Sequence, residues 1–141
     1  MWVTMTLEEK IKELLGRERH VELAYLFGSA ARGETGKLSD IDVAVYLHES
    51  LSSKERFKLQ LKLMGELASA LQTNKVDLIV MNEAPLLLSY NIIKYGKLVK
   101  SDGRTKVRVE SGILSRYLDM KYFIDRHTKL GIERMAKKGL T

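Results

Sequence analysis

The segment Asp40–Leu47 reads Asp-Ile-Asp-Val-Ala-Val-Tyr-Leu. In an extended chain Ile41, Val43, Val45 and Leu47 point one way, and Asp40 and Asp42 point the other. That pattern suits a half-buried strand, with one face on a core and two carboxylates side by side on the opposite face. The rest of the chain has to supply the core, and something has to answer for two adjacent negative charges.

The flanking sequence supplies both sheet and helices. Thr6-Leu7-Glu8-Glu9 fits a capping box, in which the Thr6 hydroxyl and the Glu9 carboxylate satisfy the first free amides of a helix. Leu7, Ile11, Leu14 and Leu15 follow at helical spacing, and Gly16 marks the end. Val21–Phe27 reads as a strand that stops at Gly28-Ser29. A polar connection containing Gly33 and Gly36 leads to the Asp40–Leu47 strand. A long helix is predicted over 52–71, with Phe57, Leu61, Met64, Ala68 and Leu71 on its apolar face. Lys75–Met81 reads as a third strand, nearly continuously apolar and therefore buried. Pro85 suits the first turn of a helix ending near Tyr95. Leu98-Val99 suits a short edge strand. From about Arg104 the chain is predicted helical to its end, with Ile113, Leu114, Tyr117, Met120 and Ile124 as a stripe and Gly131 as a point of interruption. The order α-β-β-α-β-α-β-α predicts an α/β (α+β) fold, a small mixed sheet with helices packed on it.

Composition narrows the function. The 141 residues suit one domain, 45% are hydrophobic and 30% charged, and there is no cysteine. This excludes a disulfide scaffold, a Cys-ligated zinc site and a thiol nucleophile. A net charge of +6 is often a nucleic-acid signature. Here residues 1–99 hold 13 Lys/Arg and 13 Asp/Glu, and residues 100–141 hold 11 and 5. The excess belongs to a basic C-terminal helical segment, residues 100–141, and the core at 1–99 is neutral. Met1–Lys10 lacks a basic stretch followed by an apolar one, and apolar runs such as Leu78–Met81 are only a few residues long. Both features predict a cytoplasmic protein with no membrane partner.

Chemistry concentrates around the Asp pair. Two carboxylates on one strand repel each other in a partly buried site, and divalent cations are the usual compensation. Oxygen-only ligands suit Mg²⁺ or Mn²⁺. Asp77, inside the apolar run of the third strand, is a costly charge unless paired or ligated, and it completes a triad if that strand lies beside Asp42. Three carboxylates and two divalent ions then accept an anionic substrate such as a nucleoside triphosphate, the layout of two-metal phosphoryl or nucleotidyl transfer. Gly28 and Ser29, at a strand end, offer backbone amides and a hydroxyl to phosphate oxygens. Arg32 suits either a phosphate or an ion pair with the cluster. The Gly-Lys-Ser/Thr ending of a Walker A loop is absent. His20, His48 and His127 show no ligand spacing and read as surface or cap residues.

The run Tyr25-Leu-Phe-Gly-Ser-Ala-Ala-Arg-Gly, then Ser39-Asp-Ile-Asp-Val, then Val76-Asp-Leu-Ile-Val resembles the nucleotidyltransferase superfamily of DNA polymerase β. In particular it resembles the minimal nucleotidyltransferase (MNT) branch, small stand-alone domains often paired with HEPN toxins as antitoxins. The resemblance covers roughly Tyr25 to Pro85, and it rests on the joint spacing of Gly-Ser, Asp-x-Asp and the later Asp. It implies a nucleotidyltransferase core plus a C-terminal helix. Asp40 and Asp42 would hold two Mg²⁺ ions, and Asp77 would complete the ion that activates the acceptor hydroxyl. Gly28 and Ser29 would bind the β and γ phosphates of ATP, and pyrophosphate would leave after in-line attack on the α phosphorus. It also implies the acceptor, a tyrosine hydroxyl on a HEPN ribonuclease toxin held in a hetero-oligomer.

Three rival functions share these residues. A binding module would neutralise its toxin without catalysis. Transfer to a small molecule such as an antibiotic usually needs an added helical domain, for which 141 residues leave little room. Nucleic-acid end addition is disfavoured by the neutral charge of residues 1–99.

Overall fold

The computed structural model describes residues 5–28 and 40–138. Within them the chain runs α1 (Leu7–Gly16), β1 (Val21–Phe27), β2 (Ile41–Leu47), α2 (Ser53–Leu71), β3 (Val76–Val80), α3 (Leu86–Tyr95), β4 (Lys97–Lys100) and α4 (Gly103–Lys137), with a 3-10 turn at Met81–Glu83. The strands lie in the order β3-β2-β1-β4. β1 pairs antiparallel with β2 and β4, and β2 pairs parallel with β3. The sheet is mixed, as the element order predicts. No described helix is long and apolar enough to cross a membrane.

Capping boxes start α1 and α2. The Thr6–Glu9 capping box is formed, with the Glu9 amide donating to the Thr6 hydroxyl at 3.2 Å and the Thr6 amide to the Glu9 carboxylate at 3.3 Å. Ser52 and Glu55 repeat the same exchange at the start of α2. The last turn of α1 is closed from a distance. Lys100, at the end of β4, donates its Nζ to the Leu15 carbonyl at 2.9 Å and to the Glu18 carbonyl at 2.7 Å. An ammonium at a helix C-terminus is favourable for both the free carbonyls and the dipole.

Strand alternation builds two cores, one on each face of the sheet. Ile41, Val43, Val45 and Leu47 pack with Ile11 and Leu15 of α1 and Leu63 and Leu67 of α2. The opposite face carries Leu23, Tyr25 and Ala44, covered by Ile92 of α3 and by Val109 and Ile113 of α4. Asp42, two residues before Ala44, belongs to this second face.

Three expectations need correction. The buried row of α2 is Leu63–Leu67, while Phe57 and Leu61 are 58% and 53% exposed. Met64, Ala68 and Leu71 of the predicted face do pack against the core, so the expectation fails only at Phe57 and Leu61, where the helix's first half turns that face to solvent. β3 is an edge strand with alternating burial, not a strand buried on both faces, and Asp77 is exposed. The expected cost of burying its charge therefore does not arise. Finally, α4 runs through Gly131 without a break over 35 residues.

A tyrosine pins α4 to the sheet. Tyr25, 2% exposed, donates its hydroxyl to Glu110 at 2.5 Å, and Lys106 pairs with the same carboxylate at 3.1 Å. Burial, and then the Glu110 carboxylate, push the phenol far above its ordinary value of 10.0. A phenol whose pKa is raised by folding contributes stability below its unfolded pKa and loses it as pH rises beyond. The native protein should therefore lose stability progressively above about pH 10, a loss absent from Tyr25→Phe. At neutral pH that variant should be less stable by about 1–2 kcal/mol, because Glu110 keeps its desolvation but loses a donor. Denaturant titrations at pH 7 and pH 10.5 test both points.

Candidate active site

One end of the sheet gathers the candidate residues from three elements. Asp42, the second residue of β2, is in register with Phe27 near the end of β1 and with Asp77 on β3. Paired positions on adjacent strands lie about 4.8 Å apart and point to the same face. Asp40 is exposed just before β2. The parallel β2–β3 pair therefore does what sequence spacing could only suggest, setting Asp77 beside Asp42 across 35 residues of chain.

The proximity shows in the electrostatics of Asp42. The Asp42 carboxyl is held above its ordinary value of 3.8 by partial burial first, then by the charges of Asp77 and Asp40. Two like charges act on this one group, and no cation among the causes of the shift relieves it. Among the described residues, however, no three acidic or histidine side chains close into a ready metal cage. The mutual repulsion and the all-oxygen donor set fit Mg²⁺ or Mn²⁺, with the remaining ligands coming from substrate phosphates and water.

Gly28 completes the described part. It follows β1 with φ +67°, a left-handed conformation that favours glycine. A Cβ placed there would sit 2.5 Å from Asp42 Oδ2. The glycine backbone thus forms a wall against which the carboxylate rests, and only glycine leaves the oxygen where it is. Ser29 and Arg32, the other predicted phosphate-binding residues, lie outside the described residues.

Among the described residues, the two larger concavities lie elsewhere. A groove of about 920 Å³ runs between α1 and α2, lined by Leu14, Leu61, Gly65 and Ser69, and belongs to the sheet face opposite Asp42. A polar cleft of about 400 Å³ lies at the other end of the sheet, lined by Tyr46, Asn82, Arg56, Arg108 and Arg116. The sequence gives no spacing signal for this cleft, since its arginines come from α2 and α4. Two of them are already partnered, Arg56 with Glu83 at 2.9 Å and Arg108 with Glu49 at 2.7 Å. The histidines do not converge: His20 meets Glu18, His48 meets Ser50, and His127 meets the Phe123 carbonyl one turn back.

A mixed sheet that presents paired aspartates on adjacent parallel strands, beside a left-handed glycine ending a third, defines the nucleotidyltransferase class. The family model described as polymerase beta, nucleotidyltransferase, matches residues 9–105, well over half of the chain, and the chain belongs to this family. Over 92 residues it is 38% identical to the protein adenylyltransferase MntA of Shewanella oneidensis, a match covering 64% of this chain and 62% of that protein. The chain thus spans about three-fifths of the length of that curated relative. Among solved structures, a toxin–antitoxin complex with AMP-PNP superposes with a TM-score of 0.65 and 30% identity, over 86% of this chain and 98% of that one. A tri-AMPylated Shewanella oneidensis HEPN toxin in complex with an MNT antitoxin gives 0.59 and 28%, over 91% and 99%.

Proposed function

We propose that this chain is an antitoxin that transfers AMP from ATP to a tyrosine hydroxyl of a partner HEPN toxin in an Mg²⁺-dependent reaction. The observation that carries the reading is the register of Asp42 with both the β1 end and Asp77, in a chain 38% identical to a protein adenylyltransferase. The similarity to toxin–antitoxin complexes, one with AMP-PNP and one with an AMPylated HEPN toxin, supports the donor, the modification and the partner.

In this reading Asp40, Asp42 and Asp77 hold the metal ions. Bound Mg²⁺ supplies charge neutralisation and polarisation at the α phosphate. The protein's own part is placement. Gly28 fixes Asp42 from one side, while β3 sets Asp77 on the other, open to solvent where an acceptor side chain enters. Gly28 and Ser29 present amides and a hydroxyl to the β and γ phosphates, and Arg32 adds a charge beside them. The acceptor oxygen forms a bond to the α phosphorus as the bond to pyrophosphate breaks, and the hydroxyl proton passes to the Asp77 carboxylate. Holding both reactants in line removes much of the entropic barrier. A nucleotide attached beside the toxin's ribonuclease site adds bulk and negative charge there.

Co-expression with the product of the neighbouring gene, followed by intact mass measurement of that partner, tests the reading. A shift by whole AMP units, lost when EDTA is added to the purified reaction, is expected. An unmodified partner that is nevertheless fully inhibited overturns it in favour of neutralisation by binding alone.

A further inference from the structure

The C-terminal half of α4 has no partner among the described residues. The helix is 35 residues long, about 52 Å. Its buried positions are Thr105, Val109 and Ile113, and its last ring contact with the body is Tyr117, stacked on Tyr90 of α3 with centroids 3.6 Å apart. From Leu118 onward no described residue is buried. Leu118, Tyr122, Phe123, Ile124, Ile132 and Met135 are all exposed, Tyr122 at 66% and Ile132 at 63%. Helices draw most of their stability from packing an apolar face, and this segment has such faces without the packing.

Charge says what covers it. Residues 118–137 hold five Lys/Arg and three Asp/Glu. Three of the basic residues nearer the body are already used, Lys100 on α1, Lys106 on Glu110 and Arg108 on Glu49. Most of the positive charge on α4 that has no carboxylate partner thus lies along the projecting half. A second copy would set like charge against like. A lipid surface needs apolar residues segregated on one side, whereas at 100° per residue Leu130 falls nearly opposite Ile132.

We propose that the projecting half of α4, Leu118–Lys137, is the docking surface for the acceptor protein, which presents an apolar groove rimmed by carboxylates. The inference rests on the proposed function and adds where the acceptor is held. Binding through α4 would tether the acceptor, so that its tyrosine is delivered to Asp77 at high effective concentration.

The test uses the full chain and the purified product of the neighbouring gene, the partner that the co-expression experiment modifies. Leu118→Glu with Tyr122→Glu, and separately Lys121→Glu with Lys129→Glu, alter exposed positions and should leave the fold intact by circular dichroism. Sedimentation velocity should show binding weakened about tenfold or more by each pair, with the acceptor KM raised and kcat at saturation retained. Wild-type binding should weaken several-fold on raising salt from about 0.05 to 0.5 M, with little change in ATP affinity. Variants that bind and modify the partner like wild type overturn the inference while leaving the adenylylation reading standing. Wild type that neither binds nor modifies the partner overturns both. Self-association of the wild-type chain alone that the variants abolish assigns the surface to a second copy, and variant-sensitive sedimentation with phosphatidylserine vesicles assigns it to lipid. Either result overturns the inference.

Discussion

Replacing Asp42 by Asn is expected to lower AMP transfer on the order of 10³-fold or more, because one metal-binding carboxylate is worth several kcal/mol of charge stabilisation at the reacting phosphate. The same substitution should stabilise the metal-free fold. Asp42 is raised above 3.8 by burial and by Asp77 and Asp40. A carboxyl whose pKa is raised by folding contributes stability in its protonated form, and this is lost as pH rises through the folded value. At neutral pH the wild type has lost all of it, and Asn, which does not ionise, keeps it. The gain is small, since solvent screens a site this open, and about 0.5 kcal/mol or 2 °C in Tm is expected. Below about pH 4 the two melting curves should converge. Adding Mg²⁺ with a non-hydrolysable ATP analogue should reverse the order, raising the Tm of the wild type by ligand linkage while leaving the variant behind. Equal metal-dependent stabilisation of both proteins would remove Asp42 from the metal site.

Gly28→Ala is expected to cost about 100-fold in kcat, although it adds a single methyl. Two effects combine. The left-handed φ of +67° costs an alanine about 1–2 kcal/mol. The new Cβ also lands 2.5 Å from Asp42 Oδ2, so the carboxylate has to move. A displacement of about 1 Å at a reacting centre is worth about 10²-fold in rate. Gly65→Ala is the contrast. Gly65 lies in α2 with nothing within 4 Å of an added Cβ, and the change should add about 0.5–1 kcal/mol of stability with activity unchanged. Steady-state kinetics and thermal melts of the two variants separate a backbone effect at the site from a general glycine effect. A fully active Gly28→Ala would show that Asp42 does not depend on this wall.

The candidate site was legible because its residues carry their own geometry. Alternation alone sets Asp42 on the face opposite Val43 and Val45, and the structure keeps it there. The strand that ends at Phe27 was legible from its apolar run and the Gly-Ser that stops it. Asp77 was found for an incorrect reason. A charge inside an apolar run reads as buried, yet β3 is an edge strand and the side chain is exposed. Which strand forms an edge depends on pairing partners, and a strand's own residues do not state it. The same holds for α2. Phe57, Leu61, Leu63 and Leu67 satisfy two overlapping helical rows, and only the sheet chooses between them.

By itself the sequence determined the elements, the two carboxylates on one strand face and the surplus of positive charge after residue 99. These are consequences of local periodicity and capping, which act over a few residues. Tertiary structure decided three other matters: that Asp77 stands in register with Asp42, that the Gly28 backbone leaves room for the Asp42 oxygen and no Cβ, and that α4 outruns the body it is docked to. Each depends on groups separated by tens of residues meeting in space, and periodicity carries no information about which distant surfaces will meet.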